Sequence, residues 1–228
     1  RQLDKQRSIL AIAGLGEAGM SGAEVKALYK ERIVAKLVNL ETGKFSDEFD
    51  PNTFDPLVAA KDPQLSDALP PEQDIASIKR REKYSVVYIV ETEGELDTLV
   101  LPVRGYGLWS TLYGYIALAA DTQTVVGITF YEHKETPGLG GEVDNPGWKA
   151  KWPGKRIFDS KWNVKLKVSK SPRGAHDVDA LTGATITSNA VSNMLAFWLG
   201  PDGYGPFLKK LAAAGSAGSL AGKGGAGG

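Results

Sequence analysis

The chain reads as an α+β protein, a mainly antiparallel sheet flanked by helices in a single domain preceded by N-terminal helices. Three observations predict this. Four segments rich in Val, Ile and Tyr follow one another between Tyr84 and Tyr131 with only Gly or Asp turns between them, which leaves no room for crossover helices. The helical repeats lie toward the two ends. At 228 residues the chain can bury a substantial core.

In order along the chain, Leu3, Ile9, Leu10 and Ile12 and then, after the Gly14 to Gly22 break, Val25, Leu28 and Tyr29 predict two short helices. Residues 1–30 are therefore set apart as a helical segment. Ile33 to Asn39 is a mixed strand ended by the turn-like Thr42-Gly43. From Ser46 to Gln73 the frequent Asp, Pro and Ser predict a surface loop with little regular structure. Strands are expected at about Tyr84–Val90, Thr98–Val103, Gly114–Ala119 and Val125–Tyr131. The clearest strand is Trp162, Val164, Leu166 and Val168, whose alternate positions Asn163, Lys165 and Lys167 are polar. Val191, Met194, Leu195 and Trp198 recur at helical spacing before Gly200-Pro201, so a helix runs from about Ser188 to Leu199. Trp162 and Trp198 are core candidates, and Lys79-Arg80-Arg81 with Lys83 reads as a solvated basic run without a role. The main domain spans 31–211. Residues 212–228 are nearly all Gly, Ala and Ser and read as a flexible linker or cloning remnant.

Composition narrows the chemistry. Twenty-seven basic residues balance twenty-seven acidic ones, so no global field draws in nucleic acid, and nucleic-acid binding is not expected. The absence of cysteine removes disulfides, thiol catalysis and cysteine-ligated zinc or iron–sulfur clusters, and two histidines leave little for a histidine metal site. Redox chemistry would have to come from an organic cofactor. No run approaches the about eighteen apolar residues of a membrane span. The chain nevertheless opens with Arg1 in place of Met and without a signal peptide, which reads as the loss of an upstream segment.

The densest chemical signal is Asp179-Ala180-Leu181-Thr182-Gly183-Ala184-Thr185, running into a helix start at Ile186-Thr187-Ser188-Asn189. Thr185 is placed just before the helix. The first N–H groups of a helix lack intrahelical acceptors and carry partial positive charge, so a phosphate beside Thr185 would need no basic side chain, and Gly183 and Ala184 leave the backbone bare. By residue type alone the same string is ordinary N-cap and turn chemistry, and both readings stand. Glu135-Thr136-Pro137-Gly138-Leu139-Gly140-Gly141 follows a strand, and Pro137-Gly138 fits the centre of a type II turn. Trp109 follows Gly105 and Gly107, where bare backbone lets a flat ligand approach, but the pair lacks the third glycine of a dinucleotide fingerprint. His133 is equally open to a structural role.

The full Asp179 to Thr185 string resembles the covalent flavin-attachment motif Asp-x-x-(Ser/Thr)-Gly-Ala-(Ser/Thr) of FMN-binding domains in bacterial respiratory complexes. Arg104 to Ser110, Glu132 to Pro146 and Trp152-Pro153-Gly154-Lys155 extend the likeness, and with them the chain from Arg1 to Lys210 is similar to the C subunit of the sodium-translocating NADH:quinone oxidoreductases. The resemblance implies FMN held by a phosphoester to Thr185. It implies a site that also uses Thr182, Gly183, Ala184, Leu108, Trp109, Ser110, Glu135, Thr136, Gly138 and Leu139, with Trp109 and Leu139 bordering the flavin ring. It further implies an electron carrier that takes electrons from an iron–sulfur-bearing subunit and gives them to a flavin on the B subunit, matured by a flavin transferase. Its location would be the bacterial inner membrane, with one N-terminal span and this domain on the periplasmic side. The G subunit of the related Rnf electron-transport complex shares the flavin motif and the Glu-Thr-Pro-Gly-Leu-Gly loop, and a binding module without redox function is the remaining alternative.

Overall fold

The computed structural model describes residues 1–215. Helices α1 (Gln2–Ile12) and α2 (Gly22–Arg32) lead into strands β1 (Val34–Asn39) and β2 (Lys44–Phe45). A short helix α3 (Pro56–Ala59) and the hairpin β3 (Ser66–Ala68) with β4 (Arg80–Glu82) precede the long strands β5 (Tyr84–Thr92), β6 (Glu95–Tyr106), β7 (Thr111–Ala119) and β8 (Val125–Glu132). After the short helix α4 (Pro146–Lys149) come β9 (Lys167–Ser169), β10 (Asp177–Asp179), α5 (Thr185–Trp198) and α6 (Gly205–Ala214). Six strands form one antiparallel sheet in the order β2-β1-β5-β6-β7-β8, as the unbroken run of strand segments requires.

Both faces of the sheet are covered. Leu99, Leu101 and Val103 of β6 belong to the core with Val191, Met194, Leu195 and Trp198 of α5, whereas Val100, Tyr115 and Ala117 pack with Ile9 and Leu10 of α1 and Val25 of α2. Alternate residues of a strand serve opposite faces, so each long strand feeds two cores. Ser21 starts α2 by accepting the Glu24 N–H at 3.2 Å while its hydroxyl reaches the Glu24 carboxylate, and Lys30 and Arg32 close the last turn beside its negative end.

The sheet opens at one end. The β5–β6 ladder stops at Tyr88 opposite Val100, and the carbonyls of β6 beyond that point turn to side chains of the C-terminal helices. The Tyr204 hydroxyl donates to the Pro102 carbonyl at 2.7 Å and the Trp198 indole N–H to the Arg104 carbonyl at 2.8 Å. Arg104 meets the buried Glu82 through two bonds of 2.7 and 2.9 Å. These contacts take the place of the missing ladder along the part of β6 beyond Val100, which leads to the Leu108-Trp109 tip.

The segment 46–73 has little regular structure, as expected, holding only α3, capped by Asp55, and β3, which pairs with β4. Several other expectations are corrected. The basic run is not a solvated face: Arg80 donates to the Ser66 hydroxyl at 2.9 Å and Arg81 to the Asp202 carbonyl at 2.8 Å. The strand expected over Trp162 to Val168 shrinks to β9, which pairs in parallel with β10, because Trp162 sits in a turn at φ 63° and is only half-buried against Phe158. The burial alternation of Val164, Leu166 and Val168 was legible, but the missing partner strand was not. Helix α5 begins at Thr185, three residues before the expected start. Helix α6 carries Ala212–Ala214, which the sequence assigns to the tail; residues 216–228 lie outside the described residues.

Gly105 and Gly107 also serve a different purpose from the one expected. A Cβ at Gly105 would lie 2.6 Å from the Met194 Cβ, and one at Gly107 would overlap the Glu135 carboxylate. Both glycines admit protein, not ligand. Gly105→Ala should therefore cost about 1–3 kcal/mol by overpacking the contact between β6 and α5. Calorimetry or a circular-dichroism melt would read this as a fall in Tm, and an unchanged Tm would mean that the helix can retreat freely.

Candidate functional site: a cleft at the start of helix α5

Three chain segments converge at the end of the sheet. Tyr106 pairs with Thr111, and the Gly107 N–H donates to the Ser110 carbonyl at 2.8 Å, so Leu108 and Trp109 occupy the tip of the β6–β7 hairpin. Beyond β8, the Leu139 N–H donates to the Thr136 carbonyl at 3.1 Å with Gly138 at φ 80°, which is the positive φ that a type II turn needs at its third residue. Before α5 the Ala184 N–H donates to the Leu181 carbonyl at 3.3 Å with Gly183 at φ 73°, a turn of the same kind. The two turns face each other, and a Cβ added to Gly183 would stand 3.3 Å from Leu139 Cδ2.

Between them lies a cleft of about 260 Å³. Leu108 and Trp109 form one wall, Thr136, Leu139 and Gly140 another, and Gly183, Ala184, Thr185, Ile186 and Thr187 the third. Of the nine large apolar side chains exposed among the described residues, Leu108, Trp109, Leu139 and Ile186 are gathered here. Trp109 is 64% exposed. Side chains of this kind concentrated at one concave place mark a binding site for something flat and apolar.

The third wall settles how α5 begins. Ala184 holds the N-cap position and offers no side-chain oxygen, Thr185 is the first helical residue, and the Ser188 N–H returns to the Ala184 carbonyl at 3.0 Å. Thr187 and Ser188 are buried and spent elsewhere. Thr187 donates to Glu135 at 2.9 Å and Ser188 accepts from the Leu181 N–H at 3.1 Å. The capping reading of these residues is therefore not realised. The N–H groups of the first turn have no acceptor one turn earlier and no capping oxygen, so they are available to an anion beside the exposed Thr185.

Glu135 joins the walls from behind. One carboxylate oxygen accepts the Leu108 N–H at 2.8 Å and the Thr187 hydroxyl at 2.9 Å, and the other accepts the Trp109 N–H at 2.9 Å. Burial acts to raise this carboxyl, but the two backbone donors, the Thr187 hydroxyl and nearby His133 outweigh it and hold Glu135 below the ordinary glutamate value. His133 has a supporting part: its Nδ1 accepts the Glu135 N–H at 3.1 Å, and its Nε2 lies 2.7 Å from the Asp144 carboxylate. The Ser110 hydroxyl accepts the Lys134 N–H at 2.7 Å.

Seven of the residues that the sequence singles out thus line the cleft: Leu108, Trp109, Thr136, Leu139, Gly183, Ala184 and Thr185. Ser110 and Glu135 stand behind it, and Gly138 and Thr182 face a neighbouring cleft of about 510 Å³. Sequence reasoning missed Ile186 and Thr187 as wall residues, although both follow Thr185 directly. It also missed the support of Asp179, whose carboxylate meets Lys151 Nζ at 3.0 Å and whose carbonyl accepts the Trp148 indole at 2.8 Å. Residues 28 and 31 positions away gave no signal of that contact.

The fold is that of an FMN-binding domain, and the family model of that description matches residues 107–200, within which all three walls of the cleft lie. More particularly, the chain belongs to the NqrC family, the C subunits of Na(+)-translocating NADH-quinone reductase. It is 63% identical over 217 residues to that subunit from Pseudomonas aeruginosa, covering 92% of this chain and 83% of the relative, and 47% identical to that of Yersinia pestis, covering 92% and 80%. The crystal structure of Shewanella oneidensis NqrC superposes with a TM-score of 0.83 at 36% identity over 92% of this chain and 97% of that one. The corresponding subunit from Parabacteroides distasonis gives 0.70 at 32% identity, covering 90% and 92%. The family favours NqrC over the Rnf subunit and over a module without a flavin.

The lowered Glu135 value has a consequence for stability. A carboxyl depressed in the folded chain contributes stability that is present above its unfolded value, about 4.3, and is lost as pH falls through its folded value. The stability gap between the parent and Glu135→Gln, measured by urea denaturation, should hold from neutral pH to about 4.3 and narrow below it. A gap that stays constant down to about pH 3 would show that the Glu135 carboxyl titrates alike in the folded and unfolded chain and is not depressed by its donors.

Proposed function

We propose that this chain is the electron-carrying C subunit of a sodium-pumping NADH:quinone oxidoreductase, with FMN attached by a phosphoester to Thr185. The observation that carries the attachment is the position of Thr185: it is exposed, first in α5, and on the wall of the cleft that gathers the exposed apolar side chains. A phosphate on its hydroxyl would meet the unpaired N–H groups and positive end of α5. Trp109, Leu139 and Ile186 would border the ring, with Thr136, Gly183 and Ala184 close to the remainder of the cofactor. Glu135 and Ser110 would act on the cleft from behind, and Gly138 and Thr182 from the turns beside it. FMN supplies the redox chemistry when bound, and the chain supplies attachment, orientation and electrostatics.

On the same reading, electrons arrive from an iron–sulfur-bearing subunit and leave to a flavin on the B subunit, and a flavin transferase loads the cofactor during maturation. A tether makes occupancy independent of free FMN while leaving the domain free to move between donor and acceptor. Residues 1–30 would follow one membrane-spanning helix, with residues 31–211 forming the FMN-binding domain on the periplasmic side of the inner membrane. Among the described residues no helix is long and apolar enough to cross a membrane.

Three measurements test this. Protein co-expressed with a flavin transferase should remain yellow after denaturation, with intact mass raised by one FMN, and Thr185→Ala should lose both signs; covalent flavin on that variant would move the attachment to another hydroxyl. Trp109→Ala should keep the attached flavin but change its absorption envelope or potential, whereas a spectrum and potential like the parent's would remove Trp109 from the ring. In spheroplasts of cells carrying the full-length gene product, added protease should digest the domain. Protection until the membrane is ruptured would place it in the cytoplasm.

A further inference from the structure

We propose that Glu135 is the positioning residue of the flavin cleft: without lining the cleft, its carboxylate sets the spacing between the Trp109 hairpin tip and the first turn of α5 before the cofactor arrives. The inference rests on the reading of this cleft as the FMN site. Its physical basis is that one side chain accepts all three donors that tie the two walls together, from Leu108, Trp109 and Thr187. The donors lie 27, 26 and 52 positions away in the chain, so nothing local would hold them in register.

The surroundings are cut to this side chain. Glu135 is 5% exposed, Gly107 has no room for a Cβ because of its carboxylate, and a Cβ on Gly140 would stand 3.1 Å from the Glu135 Cβ. Its own N–H is fixed by His133. Glutamine cannot replace it, since an amide presents N–H groups toward at least one of the backbone donors. Aspartate keeps the charge but is one methylene too short to reach both walls. Hydrogen bonds to an ionised acceptor are among the stronger ones, and a cleft held rigidly before binding wastes less of the cofactor's interaction on ordering.

The test compares the parent, Glu135→Gln and Glu135→Asp, each co-expressed with a flavin transferase. The rate of covalent FMN attachment, the visible circular dichroism of the bound flavin and its midpoint potential are measured alongside thermal stability. Both variants should attach FMN roughly tenfold more slowly, the order of one lost charge-assisted hydrogen bond, and both should lose much of the flavin dichroism. Only Glu135→Gln should shift the potential upward, because it alone removes a negative charge near the flavin. A purely structural role would lower stability and leave dichroism and potential as in the parent, which overturns the proposal. If neither variant folds, Thr187→Val decides, since it deletes one donor and keeps the carboxylate: weaker flavin dichroism supports the proposal, and parental dichroism with parental attachment overturns it. An unlabelled parent would instead overturn the proposed function, and this inference with it.

Discussion

One carboxylate with three donors sets the geometry of the cleft at the end of the sheet. The hairpin tip, the strand exit and the helix start each reach the cleft from a different direction. Glu135 supplies the common point. Bringing an ionised group into a nearly buried place is costly unless its hydrogen-bonding capacity is filled, and here both oxygens are used. The arrangement is self-consistent: Gly107 and Gly140 make the space, Glu135 fills it, and the filled space aligns the walls.

The sheet prepares this end by failing in a controlled way. If β5 had followed β6 to its tip, the place now held by Trp198, Tyr204 and the Arg104–Glu82 pair would be an ordinary ladder. Instead, the carbonyls of Pro102 and Arg104 are satisfied by side chains from the segment that begins with α5. Core packing, through Met194 against Gly105, and polar satisfaction, through the Trp198 indole, thus couple the same helix to the same strand at two heights. The start of α5 is aimed by its own body.

The sequence made much of this legible because local patterns were strong. Alternation located the four long strands, and the hydrophobic stripe Val191, Met194, Leu195 and Trp198 located α5. The turn at Pro137-Gly138 followed from the conformations those residues allow. What it could not show was pairing. The burial alternation of Val164 to Val168 is present, yet a strand needs a neighbour, and the one available, Asp177–Asp179, matches only three residues. The start of α5 was misplaced because Thr187 and Ser188 look like caps in one dimension, while their hydroxyls are claimed by Glu135 and the Leu181 N–H in three. Gly105 and Gly107 look like openings for a ligand for the same reason: bare backbone says that something comes close without saying what.

The five tryptophans are divided unequally between interior and surface. Trp148, Trp152 and Trp198 are buried, Trp162 is half-covered by Phe158, and Trp109 alone projects into water at the mouth of the cleft. An indole in water emits at longer wavelength than one in a core and is open to collision with a dissolved quencher such as iodide. The molecule therefore carries a built-in optical label at the mouth of the cleft, with the three buried indoles as a shielded background.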